Sequence, residues 1–294
     1  MARLFLNRDL PNYFTSCDLK SADPETLPKL VEDYETGKVI LLENVDLDFD
    51  APFLQSVLFP PERDLKKFKA SQFVEAYEYD GELDSRIVES VFAGDRGKAS
   101  RFAEEVAYLN SRLEHLIERL FPRYRVEEHR TTWRLTETVN ENLHIDAYRE
   151  EISTHHVRLF VNLDDIPRIW HTSYTLDQML AAHMESLDPD LLATASPGEI
   201  CRELNQAVFG GWDVAGRDGR PRHVAFFDPG EVWLVDSRKV SHQIFYGRRA
   251  LSTESAISPQ SMARPETHYL HMVDNARRAL LQRDASGSKL DSLS

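Results

Sequence analysis

Four strand-like segments crowd between His223 and Ile257, at 223–228, 231–236, 240–246 and 249–257. Each is rich in apolar and β-branched residues, and Phe227-Asp228-Pro229-Gly230-Glu231 reads as the turn between the first two. Short strands this closely spaced suit a β-barrel or jelly roll. Upstream, Tyr124–Thr138 reads as one or two strands and Val157–Leu163 as another. Two helical stretches, 175–187 behind a Thr175 N-cap and 198–208, interrupt the strands, and a Gly-rich loop covers 209–222.

The N-terminal part has a different period. Phe102, Val106, Leu109, Leu113, Leu116, Ile117 and Leu120 recur at helical spacing over 98–121, with Pro122 closing the helix. Leu27, Leu30, Val31 and Tyr34 predict a helix over 24–36 that Gly37 ends. A buried strand follows at 38–42, then a short helix over 51–59 stopped by Pro60-Pro61. Residues 62–95 read as mixed, with irregular structure around Asp80-Gly81, and 284–294 as a disordered tail. The expected class is α+β, in one domain over 1–283. A helical layer (1–123) precedes a jelly-roll core (124–260) that carries a helical insert near 172–222.

Composition narrows the partners. The net charge of −14 argues against a nucleic-acid backbone and against docking on an anionic membrane. Cys17 and Cys201 form no CxxC motif and no disulfide framework, which favours a reducing, cytoplasmic setting. The first residues contain no signal-peptide core, and no run approaches the roughly 20 apolar residues of a membrane span.

The chemistry is carried by Asn142-Leu143-His144-Ile145-Asp146. In an extended segment His144 and Asp146 point to one side, because side chains alternate with period two. His242, on a late strand, can add a second imidazole. Two His and one carboxylate make the facial triad that holds non-haem Fe(II) and leaves coordination positions open. With 11 His and 49 acidic residues, an HxD tripeptide also arises by chance, as a surface His beside an Asp. His155 and His156 are competing ligands, but strand neighbours face opposite ways, so they are set aside. Trp133, Phe160, Trp170 and Trp233 are candidates to wall a pocket or to fill the core.

The order HxD, long insert, distal His and then a basic residue resembles the 2-oxoglutarate oxygenases of the double-stranded β-helix fold. Arg249 would then bind the far carboxylate of 2-oxoglutarate, as a planar fork suits a carboxylate. More specifically, the chain resembles the Kdo hydroxylase family from about Tyr34 to about Ser258. The pieces are Tyr34-Glu35-Thr36-Gly37-Lys38-Val39, the helix ending Leu120-Phe121-Pro122, Arg130-Thr131-Thr132-Trp133-Arg134, and Leu143-His144-Ile145-Asp146-Ala147. Val157 through Asn162, Pro167-Arg168-Ile169-Trp170 and Val240-Ser241-His242 complete the set.

The resemblance implies a double-stranded β-helix, or cupin-like, core. It implies an Fe(II)-, 2-oxoglutarate- and O2-dependent hydroxylase acting on Kdo, the acidic sugar of lipopolysaccharide. Its site residues would be His144, Asp146 and His242 for iron; Arg249, Arg158, Arg134 and Asn162 for 2-oxoglutarate; and Arg168, Trp170 and Trp133 for substrate. The enzyme would be cytoplasmic, or peripheral at the inner membrane if the substrate is the glycolipid.

There are departures. Arg249 stands where the Kdo hydroxylases lack an Arg and other 2-oxoglutarate oxygenases have one, so Arg249 and Arg158 compete for that role. The segment His171-Thr172-Ser173-Tyr174 lacks an Arg associated with the family, and −14 overall opposes a polyanionic glycolipid. Two alternatives remain open: hydroxylation of a free amino acid or other small metabolite, and a cupin-like metal or sugar binder without oxygenase activity.

Overall fold

A computed structural model describes all residues except Met1, Pro24, 60–84, Thr136, 148–152, 211–218 and 292–294. The irregular structure expected around Asp80-Gly81, the Pro60-Pro61 stop and most of the Gly-rich loop lie outside the described residues.

The strands form two sheets. One has the order β1 (Arg3–Phe5), β8 (His223–Phe227), β7 (Arg168–Thr175), β10 (Val240–Gly247), β5 (Thr138–Val139). The other runs β2 (Phe14–Asp18), β3 (Val39–Glu43), β9 (Val232–Leu234), β6 (His155–Asn162), β11 (Ala250–Ile257), β4 (Val126–Arg134). All neighbours are antiparallel except the parallel pair β2–β3.

Strand β6 explains the layering. It is buried along its length apart from a partly exposed Arg158, the pattern of a strand covered on both faces. Val157, Leu159 and Val161 pack into a core with helices α1 (Thr26–Glu35), α2 (Ala51–Ser56), α3 (Ser85–Phe92) and α4 (Arg96–Leu120). Phe160 points the other way, into a core shared by both sheets with Trp170, Phe227, Trp233, Val240 and Ile244. His155 and His156 likewise diverge. Both are buried, because each face of the strand has a cover.

Several elements match the sequence pattern for local reasons. Helix α4 starts at Asp95, whose side chain accepts from the Lys98 amide. Gly37 takes φ +82° after α1, a conformation that favours glycine. In the insert, Thr175 caps α5 (Leu176–His183) through a capping box with Gln178. Ser196 does the same with Glu199 for α7 (Pro197–Phe209), and α6 (Pro189–Thr194) lies between them. These helices share a third core with α8 (Tyr269–Asp291), Leu143 and Ile145.

Other elements differ from expectation. Helix α2 ends at Ser56, and Val57 is extended. Residues 85–92 are helical, with Val88 and Phe92 buried against the N-terminal core. Residues 168–175 form a central strand rather than the start of the insert, and β1, β2 and α8 carry no mark the sequence reading used. Helix α8 continues to Asp291, into the segment expected to be a tail. Among the described residues no helix is long and apolar enough to cross a membrane.

Candidate metal centre

Strand register brings the three ligand candidates together. His144 lies outside the regular strands but forms an isolated bridge with His242 of β10, with backbone hydrogen bonds in both directions at 2.8 and 3.1 Å. Leu143 and Ile145, the alternate residues, are buried in the insert core, so His144 and Asp146 must face the other way. The Asp146 amide donates to the Ser237 carbonyl at 2.8 Å, which fixes the end of the tripeptide.

Ligand atoms of His144, Asp146 and His242 lie within 4.8 Å of one another, and they are the one such group among the described residues. His144 Nε2 stands 3.4 Å from Asp146 Oδ1. The Nδ1 of His144 is 2.7 Å from the Asn142 carbonyl, and that of His242 is 3.2 Å from the Val240 carbonyl. A carbonyl only accepts, so each Nδ1 carries a proton, and Nε2 is the nitrogen that the neutral imidazole would offer to a metal. Trp170 stacks on the His242 ring, with centroids 5.3 Å apart and planes at 22°.

The electrostatics fit a cation. Burial alone would raise the Asp146 pKa, but Arg158, then His144 and His242, hold it well below the usual carboxylate range. Burial and the neighbouring His144 push His242 down to about 4, so its imidazole is neutral and available. For His144, burial is outweighed by Asp146, and its pKa rises. The two oxygens of Asp146 are distinct. Oδ1 faces His144, whereas Oδ2 accepts from Arg158 and from Ser237 Oγ, the latter at 2.6 Å.

The four arginines of the sequence analysis that flank the site separate cleanly. Arg158 lies against Asp146, donates to Ser237 Oγ at 3.0 Å and sits 3.7 Å from Glu254. It is a partner of the metal ligand. Arg249 is buried and turned away: it donates to Asp164 at 2.8 Å and to the Val57 carbonyl at 2.7 Å. The early end of α2 frees that carbonyl. Arg134 sits at the pocket mouth, 43% exposed and 2.8 Å from Glu141. Arg168, 2% exposed, lines the pocket with the triad, and its Nε has no hydrogen-bond partner.

Two expected site residues are elsewhere. Trp133 faces the helices, donates to Asn110 Oδ1 at 3.0 Å and packs against Phe102. Its neighbour Arg134 takes the pocket face, and period two forbids both. Asn162 bonds the Ile166 and Phe227 carbonyls and the Asp164 amide, shaping the turn into β7. Trp233 fills the inter-sheet core, stacked on Phe227, while Phe160 and Trp170 reach the pocket wall. Sequence reading missed Ser237, since a lone serine carries no signal, and Glu141, one acidic residue among many.

No family model matches the chain, and no curated protein matches it. Solved structures do. The Kdo hydroxylase KdoO, a non-haem Fe(II) alpha-ketoglutarate dependent dioxygenase, in complex with succinate and Fe(III), aligns with 90% of this chain and 95% of its own. The TM-score is 0.58 and the identity 19%. The chain has the KdoO fold. The KdoO complex with cobalt(II) aligns equally well, and that with alpha-ketoglutarate and Fe(III) gives a TM-score of 0.57 over the same coverage. At this identity the likeness speaks for the architecture.

Proposed function

We propose that the protein is an Fe(II)/2-oxoglutarate-dependent hydroxylase acting on an aliphatic C–H of a small acidic substrate, with the Kdo sugar of lipopolysaccharide as the leading candidate. The observation that carries the reading is the convergence of His144, Asp146 and His242 in a chain with the KdoO fold. In this reading the paired sheets are a double-stranded β-helix, and residues 1–283 act as one catalytic unit. The enzyme is cytoplasmic, meeting the inner membrane only peripherally if its substrate is the glycolipid.

His144, Asp146 and His242 would hold iron on one face, leaving three positions for 2-oxoglutarate and O2. Bound there, iron with 2-oxoglutarate and O2 supplies the oxidising power for C–H hydroxylation, with succinate and CO2 as co-products. The chain supplies geometry. The Asn142 and Val240 carbonyls hold both imidazoles in the binding tautomer. Arg158 and Ser237 keep Asp146 ionised and occupy its Oδ2, so Oδ1, on the His144 side, is the oxygen that would serve the metal. Phe160, Trp170 and Ile244 line the pocket with apolar surface. Arg134 at the mouth is the cation that a substrate carboxylate meets first.

Succinate release tests the reading. Purified protein with Fe(II), 2-oxoglutarate and O2 is offered Kdo-bearing glycolipid, free Kdo and a panel of free amino and sugar acids. Stimulated release by one of them, abolished by His242→Ala, is the expected result. Release undiminished in His242→Ala would overturn it. Stimulation by an amino acid alone would keep the chemistry and replace the substrate.

A further inference from the structure

The two sheets differ in what lies outside them. Helices cover one face of the sheet that contains β6. The other sheet, with β7 at its middle, has no such cover: none of the hydrophobic cores among the described residues includes the apolar residues of its outer face. Strand register lays that face out. Trp170 packs into the core between the sheets, so its neighbours Ile169 and His171 point outward. Ile169 is paired with Phe226 and Tyr246, Phe226 with Arg3, and Tyr246 with Val139. His171 is paired with Val224 and Gln243, and Val224 with Phe5. Paired residues share a face, so one row crosses all five strands and a second crosses four. The bulge between Ile244 and Tyr246 adds Phe245, whose ring stacks on His171 with centroids 4.7 Å apart.

A solvated sheet face puts polar residues outward. This one puts out Phe5, Val139 and Phe245, which are 62%, 63% and 41% exposed, with Val224, Phe226 and Ile169 half-buried between them. An apolar face of this kind marks an interaction site. The charges at its rim are of both signs. At the β1 end Arg3 bonds Asp228 at 3.0 Å, and at the β5 end Glu137 accepts from Tyr246 at 3.1 Å. Arg222 bonds Gln243 at 2.6 Å beside the second row. On a chain of net charge −14, such a balanced patch is where two copies can meet without opposing like charges. A two-fold axis along the middle strand lays β1 of one copy over β5 of the other, and β8 over β10. That sets the cation of the β1 end against the carboxylate of the β5 end. Four gaps of about 4.8 Å between strands and eight residues of about 3.3 Å give a face of roughly 500 Å² in projection. A standard interface buries about 800 Å² on each partner, and side-chain relief makes up part of the difference, so the face suits a specific dimer of moderate strength.

We infer that the outer face of this sheet is the interface of a homodimer, with the two-fold axis along β7. The inference is independent of the iron and 2-oxoglutarate reading above. His242 and Trp170 stand on the inner face of the same strands, so one sheet carries a metal-ligand candidate inside and the subunit interface outside. Ile169 and His171, next to the axis, meet their own copies.

Sedimentation equilibrium from roughly 1 to 300 µM, the range that suits an interface of this size, tests it. Wild type should reach the mass of two 33.9 kDa chains. Ile169→Asp sets two carboxylates against each other across the axis and should weaken the dimer roughly 100-fold or more. Val139→Arg faces the partner's Arg3 and should weaken it roughly tenfold. Adding Arg3→Glu to Val139→Arg replaces that repulsion with an ion pair and should restore the dimer. Recovery in the double variant also shows that the single variant folds, and far-UV circular dichroism checks Ile169→Asp. A wild-type chain still monomeric at roughly 300 µM overturns the inference. So does a dimer that both single variants leave unchanged, since it would use another face. A double variant no tighter than Val139→Arg overturns the axis along β7. A monomer that cosediments with phosphatidylglycerol vesicles, and loses this in Ile169→Asp, would give the face to a membrane and overturn the dimer.

Discussion

Arg158→Met separates two roles that the sequence left open for this residue. If Arg158 bound 2-oxoglutarate, its loss would spare the metal-free fold. The structure places it against Asp146 Oδ2 instead, with Ser237 as the second partner. Asp146 is largely buried, with 16% of its side chain exposed, so removing the guanidinium leaves the carboxylate only Ser237 and His144 as side-chain partners. Breaking a buried pair from one side costs about 3 kcal/mol. The partial exposure keeps this at the low end of the range. For a chain of this size that corresponds to a Tm about 6 °C lower.

A divalent metal changes the balance, because it puts positive charge on the same carboxylate. The loss should therefore be large in EDTA and mostly recovered in saturating Co(II). Paired thermal melts of wild type and Arg158→Met, with chelator and with Co(II), measure this. An equal loss in both conditions would show that Arg158 supports the fold independently of Asp146. No loss in either would restore it as a free cation for the cofactor.

Arg249→Met should destabilise the protein by about 3 kcal/mol, since it leaves the buried Asp164 to Arg248 alone and frees the Val57 carbonyl. The folded variant should keep its 2-oxoglutarate affinity; a calorimetric loss of more than tenfold would return Arg249 to the cofactor site. Stability should also fall with acidification below neutrality. Burial, then Arg238, hold His156 down to about 3 and His268 down to about 4. Burial, then Lys239, hold His155 well below its ordinary value. Their folded pKa values lie under the unfolded value of about 6.5, so the unfolded chain alone gains protons between pH 6.5 and 4. Stability is full above that window and drops by about 2 kcal/mol per histidine between pH 6.5 and 5. Urea midpoints at pH 7.5 and 5 measure it, and a flat profile would contradict the burial.

Local physics made part of this protein readable in advance. Helices α1 and α4 follow from apolar residues at helical spacing, and Thr175 was legible as a cap because its oxygen needs only a neighbouring amide. The same period-two rule that placed His144 beside Asp146 also separates Trp133 from Arg134, a consequence visible only once β4 is known to have helices on one face. Strand β7 escaped notice because Trp170-His171-Thr172-Ser173-Tyr174 mixes polar and aromatic residues without a clean apolar alternation.

The sequence by itself determined the ligand types, the side on which His144 and Asp146 stand, and the helical layer, since all of these depend on neighbours within a few residues. Tertiary structure decided what each arginine does. The partners of Arg249 and Arg158 are Asp164, 85 residues away along the chain, and Asp146, on another segment. Such pairings depend on sheet register and on which face a strand turns inward. That register matches the other cations at the pocket with carboxylates and leaves Arg168, beside the metal ligands, without one among the described residues.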